Sequence, residues 1–145
     1  MNETIETIET ISPLITLDSL LSQKVEQDSN LDFITFVRKV APTLVSDWKM
    51  GKHIEKISEK LQQLESGEIK RLMVFLPPRS SKSVICSKLF PAWYIGRNPE
   101  HEILTISHSD QLSSDFGRSV RDIVNTEDFQ NIFRGVSLRS DVRAA

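Results

Sequence analysis

At 145 residues, with 39% hydrophobic and 26% charged side chains, the chain has the make-up of one modest globular unit rather than a fibre or a membrane bundle. A formal net charge of -2 supplies no global basic field, so composition does not point to a protein that grips nucleic acid unaided. The single cysteine, Cys86, excludes an internal disulfide, no apolar run reaches bilayer-spanning length, and Met1-Asn2-Glu3 lacks the basic start of a signal peptide; a cytoplasmic location is the expectation.

Residues 1–29 open with Glu3-Thr4-Ile5-Glu6-Thr7-Ile8-Glu9-Thr10-Ile11, a three-residue repeat ending at Ser12-Pro13 and too biased to build a core. A mobile acidic leader is expected there, with room for a short amphipathic helix over 14–29. The globular part, 30–145, starts where a capping side chain among Asn30 to Asp32 precedes Phe33, Phe36, Val37, Val40 and Leu44, spaced as one helical face that Pro42 ends or bends. A second helix carries Ile54, Ile57, Leu61 and Leu64 on one stripe and closes near Gly67. Trp48 reads as a packing aromatic and His53 as a surface or partly buried helix residue.

The apolar run Leu72-Met73-Val74-Phe75 then leads into Leu76-Pro77-Pro78-Arg79-Ser80-Ser81-Lys82-Ser83, which reads as strand, phosphate loop and helix start. A Lys-Ser pair at such a junction puts an ammonium on the β/γ-phosphates and a hydroxyl on Mg2+, while the first N–H groups of the helix face the anion. Aligned on Lys82, the consensus glycines fall at Leu76 and Ser81, so both are absent. On spacing alone a plainer reading is favoured: Pro77-Pro78 ends a buried strand, Ser80 or Ser81 caps a helix, and Lys82 is solvated.

Downstream, Val84 to Ile95 is expected as a helix kinked at Pro91 and ended by Gly96, with Asn98-Pro99 turning the chain. Glu102-Ile103-Leu104-Thr105-Ile106-Ser107 fits a largely buried second strand, and Asp110 to Asn125 a helix with Leu112, Phe116, Val120, Ile123 and Val124 facing inward. Ser107 and His108 read as turn residues. The order strand, helix, strand, helix predicts an α/β sandwich with parallel strands, preceded by helices and binding its ligand at Arg79 to Ser83. Cys86 reads as a small buried helix residue. The arginines gathered over 118–143 are interleaved with Asp115, Asp122, Glu127, Asp128 and Asp141, the pattern of a solvated mixed-charge surface.

Pro77 to Ser83, then Phe90-Pro91-Ala92-Trp93-Tyr94-Ile95-Gly96-Arg97, then Ser113-Ser114-Asp115-Phe116-Gly117-Arg118-Ser119-Val120-Arg121 resemble, in this order, the large terminase subunit of tailed bacteriophages. The likeness covers roughly residues 31 to 145, and Ser81 stands where that family usually has Gly. It implies an incomplete phosphate-loop ATPase domain that binds ATP and Mg2+. Lys82 would serve the β/γ-phosphates, Ser83 the metal, and the N–H groups of Ser80, Ser81, Lys82 and Ser83 the anion. Arg79 is expected as a cis arginine finger or as a salt-bridge partner beside the loop, and a residue near Trp48 or His53 as a border of the adenine pocket.

For the intact protein the resemblance implies ATP-driven translocation and cutting of double-stranded viral DNA, with a portal, a small terminase subunit and an oligomeric ring as partners. The family's acidic strand and nuclease domain have no counterpart here: Glu127-Asp128 follows Asn125-Thr126 rather than an apolar strand, and Asp141 lies among Arg139, Ser140 and Arg143. The chain therefore reads as a front fragment with little turnover of its own. A helicase-like phosphate-loop ATPase and a non-catalytic prophage remnant are the alternatives.

Overall fold

Residues 31–138 are described by a computed structural model, and every regular element within them is helical. The leader at 1–29, and Asp141 with the arginines at 139 and 143, lie outside the described residues. The expected α/β sandwich with parallel strands is not observed: neither Leu72–Phe75 nor Glu102–Ser107 joins a ladder, and no backbone hydrogen bond reaches either segment from the described residues. Both are lengths of chain outside any helix or strand. A strand is a property of a pair, and without a neighbour to take its N–H and C=O groups an alternating apolar segment stays solitary.

Helix α1 (Phe33–Leu44) lies at the centre of the core, with Phe33, Phe36, Val37 and Val40 fully buried as their spacing predicts. Asp32 occupies the N-cap position but makes no side-chain cap bond; instead the Phe33 N–H donates to Gln62 Oε1 at 3.2 Å. The orphan donor at the start of α1 is thus satisfied from the next helix. Pro42 lies inside α1 without ending it, two residues before its last residue, so that only a short stretch of helix follows the N–H it lacks.

Helix α2 (Lys52–Glu65) buries Ile54, Ile57 and Leu61 against α1 and ends as its sequence predicts. Gly67 takes a left-handed φ of 77°, its N–H donating to the Leu64 carbonyl while that of Ile69 reaches back to Gln63. Ser58 is buried on the same face, and its hydroxyl has no partner among the described residues.

The long central helix is continuous from α3 (Lys82–Val84) through a π-helical turn (Ile85–Leu89) into α4 (Phe90–Arg97). The wider turn sits immediately before Pro91 and includes a Phe90 N–H to Ile85 carbonyl bond. A proline ring clashes with the carbonyl four residues earlier, so local widening of the helix is a natural accommodation. Gly96 does not terminate α4, which runs on to Arg97 with the Asn98 N–H closing on Tyr94. The glycine serves packing instead: a Cβ there would stand 2.4 Å from the Phe133 ring.

Helix α5 (Asp110–Val124) is capped by Ser109, which accepts from the Leu112 N–H, and it buries only Ile123 and Val124 fully. Leu112, Phe116 and Val120 are half-exposed, so the inward stripe expected along this helix is covered at its C-terminal end alone. Helix α6 (Glu127–Ile132) begins at Thr126, whose hydroxyl accepts from the Phe129 N–H, and Glu127 and Asp128 fall in its first turn. Their carboxylates suit the positive end of the helix dipole, a structural use of that pair.

Aromatic contacts weld these helices together. Phe33 meets Phe90 edge-on at 5.5 Å and Trp93 at 5.2 Å, while Phe36 lies 6.3 Å from Phe129 and 5.9 Å from Phe133. Such pairs contribute roughly 0.5–1.5 kcal/mol each beyond the area they bury. The Trp93 indole N–H donates to the Leu31 carbonyl at 2.9 Å, and the Arg97 guanidinium lies 5.1 Å over the Trp93 ring. Arg97 also bonds Glu65 at 3.0 Å, and Asn98 reaches the same carboxylate oxygen at 3.2 Å, tying α4 to α2.

Candidate functional site

Leu76 to Val84 fold around a hollow of about 420 Å3 between the extended segment and the start of the central helix. All five predicted binding residues, Arg79, Ser80, Ser81, Lys82 and Ser83, line it. Leu76, Pro77, Pro78 and Val84 complete the wall. The side chains contributed are two cations, three hydroxyls and apolar groups, with no carboxylate, so the electrostatics favour an anion.

Backbone conformation sharpens that preference. Arg79 has φ 64° and Ser81 φ 59°, both left-handed, in a loop where neither residue is glycine. Each such residue costs roughly 1–2 kcal/mol relative to an ordinary conformation, and the pair turns the chain sharply into the helix. Ser80, between them, donates its hydroxyl to the Pro77 carbonyl at 2.7 Å and holds the turn closed. Ser81 is the residue before the helix but makes no side-chain cap bond, so neither serine acts as the cap that the plainer sequence reading expected.

The Ser81 carbonyl accepts from the Ile85 N–H at 3.0 Å, which starts the helical ladder. The N–H groups of Lys82, Ser83 and Val84 bond to no loop carbonyl, leaving them for an anion or for water. Lys82 and Ser83 are exposed, and neither joins an ion pair among the described residues. Arg79 is likewise exposed and makes no salt bridge among those residues.

A second hollow of about 380 Å3 adjoins the loop and shares Lys82 and Ser83 with it, its remaining wall including Leu61, Leu64, Leu72, Val74 and Phe90. Cys86 also faces this space. Burial pushes its thiol up from the ordinary value, an effect the Lys82 ammonium one turn earlier partly offsets. A thiol so shifted stays protonated near neutral pH and is a poor nucleophile, in keeping with a structural role.

Trp48 and His53 line neither hollow: Trp48 is half-buried with its Nε1 3.4 Å from Met50 Sδ, and His53 is exposed near the start of α2. Ser107 accepts weakly from the Ser109 N–H at 3.5 Å, a turn role, and His108 is exposed. Among the described residues no group of three or more His, Cys, Asp and Glu side chains is arranged to hold a metal ion. Ser83 lines the hollow with a single hydroxyl, which by itself would suit only an ion held chiefly by other ligands such as phosphate oxygens and water. No helix of the described residues is long and apolar enough to cross a membrane. No family model matches the chain, and neither does any curated protein or solved structure.

Proposed function

We propose that the loop from Leu76 to Val84 binds the phosphates of ATP, and that the chain is the front part of a DNA-packaging motor subunit of the terminase type, working in the cytoplasm of a bacterial host. The observation that carries the nucleotide reading is the 420 Å3 hollow, walled by Arg79 and Lys82, free of carboxylates and met by the unpaired N–H groups at the start of the helix. In this reading Lys82 supplies a positive charge to the β/γ-phosphates, and Arg79, which lines the same hollow, serves as the cis arginine finger. Ser83 offers its hydroxyl to the Mg2+ that accompanies the nucleotide, an ion that neutralises phosphate charge when bound. The motor reading rests on the ordered likeness of the three sequence blocks. Double-stranded viral DNA, a portal, a small terminase subunit and an oligomeric ring belong to that reading of the intact protein.

Calorimetric titration with ATP and Mg2+ tests the nucleotide reading. The expected result is binding that is lost in Lys82→Ala with the helical circular dichroism unchanged. Equal affinity in both proteins, or none in either, defeats it. Hydrolysis by this chain is expected to be negligible, because no carboxylate lines the loop to position a water.

A further inference from the structure

The Ser80 hydroxyl donates to the Pro77 carbonyl at 2.7 Å, closing a ring of chain around Pro78 and Arg79 just before the central helix. On either side of Ser80, Arg79 and Ser81 hold left-handed φ values of 64° and 59°, a backbone state disfavoured for any residue with a β-carbon. Arg79 joins no ion pair among the described residues and the Ser81 side chain makes no cap bond, so neither fastens its own conformation. Released from the tie at Ser80, both would relax toward ordinary backbone angles and carry the loop with them. The path of that loop decides whether Arg79, Lys82 and Ser83 converge on one hollow, as they do here.

We infer that Ser80 is a positioning residue for phosphate binding: its hydroxyl holds the loop in the form in which Arg79, Lys82 and the first N–H groups of the helix surround the hollow. This role rests on the nucleotide reading proposed above. The hydroxyl is engaged with Pro77, so it acts through the backbone and not on a phosphate. A chain that must first reshape its loop binds with an affinity reduced to the fraction already in the competent form. One solvent-accessible hydrogen bond contributes modestly, so its removal should weaken binding by roughly two- to tenfold. That is well short of the loss expected for Lys82→Ala, which removes a charge.

Two measurements on the full chain with Ser80→Ala and Ser80→Thr test this role. The first is titration with Mg2+ and either ATP or inorganic tripolyphosphate. The second is the rate of trypsin cleavage after Arg79 without ligand, each rate divided by that of a free peptide carrying the same change. Ser80→Ala should be cut faster and bind both ligands more weakly by the same factor, since loop shape serves the phosphates alone. Ser80→Thr keeps the hydroxyl and should match the starting protein in both respects, with far-UV circular dichroism unchanged throughout. Equal cleavage in all three proteins overturns the inference, because the tie then holds nothing. So does a Ser80→Ala chain that is cut faster yet binds as tightly, or one weakened toward ATP but not tripolyphosphate. Ser80→Thr behaving like Ser80→Ala would also overturn it, by removing the hydroxyl as the cause. In each of these cases the starting protein still binds; if it binds neither ligand, the nucleotide reading itself fails and this role falls with it.

Discussion

The Phe133 ring lies directly across Gly96, with its Cδ2 2.4 Å from the point where a β-carbon would stand. Phe133 is 2% exposed and stacks on Phe36 and Phe129, so it has little freedom to retreat. Gly96→Ala should therefore overpack the junction of α4 with the end of α6 and destabilise the fold by about 1–3 kcal/mol. Urea unfolding followed by tryptophan fluorescence checks this, with a lower midpoint and an unchanged slope as the expected result. An unaltered midpoint would show that the ring moves freely.

Ser81 should yield to glycine without loss. Its left-handed φ of 59° costs roughly 1–2 kcal/mol for a residue with a β-carbon, while glycine adopts that geometry freely but adds about 0.5–1 kcal/mol of unfolded-chain entropy. Ser81→Gly is thus expected to raise stability by less than about 1 kcal/mol and to leave ATP binding at least as strong. Thermal melts and titration read the two effects separately, and a clear drop in melting temperature would contradict the strain assigned to this residue.

A buried hydroxyl without a partner should be better removed than kept. Ser58 is 1% exposed and its oxygen finds no partner among the described residues, so Ser58→Ala is expected to stabilise the protein by roughly 1 kcal/mol. A loss of stability of that size would instead show that the hydroxyl is bonded in solution.

Cys86 should react slowly. With its thiol pushed up by burial, labelling by iodoacetamide at pH 8 is expected to lag behind that of a free thiol, and the pH–rate midpoint to lie above the ordinary cysteine value. Because Lys82 favours the thiolate, Lys82→Ala should move the midpoint further up. The sign for stability follows: above the ordinary thiol value the unfolded chain gives up this proton more readily than the folded one. The contribution of Cys86 to stability therefore falls as pH rises, read as the difference between this chain and Cys86→Ala. Labelling as fast as that of a free thiol would overturn the burial.

The helical half of the fold was legible because helical periodicity is a local property. The stripes on α1 and α2, the closure at Gly67 and the loop residues from Arg79 to Ser83 all follow from neighbours in sequence. Leu72–Phe75 and Glu102–Ser107 have the composition of strands, yet that status depends on a second length of backbone that local pattern cannot supply. Gly96 looked like a terminator because glycine commonly ends helices, while its actual reason lies 37 residues away in the Phe133 ring. Likewise Gln62, an unremarkable helix-face residue, closes the start of α1 across a separation that no capping rule inspects. The hollow's cationic character was readable, whereas the left-handed turns at Arg79 and Ser81 were not, since neither residue type favours them.

The π-helical turn from Ile85 to Leu89 holds one residue more than an ordinary turn would, so every side chain after it is set back in rotation by about 100°. That offset lets one rod serve two clients with different angular demands. Its first half presents Lys82 and Ser83 to the loop, and its second half aims the Trp93 indole at the Leu31 carbonyl and Arg97 at Glu65. Forcing the turn into regular helical geometry without removing a residue would swing one client out of alignment with the other by that angle, whereas excising a single residue within it would give a regular helix that keeps both in register.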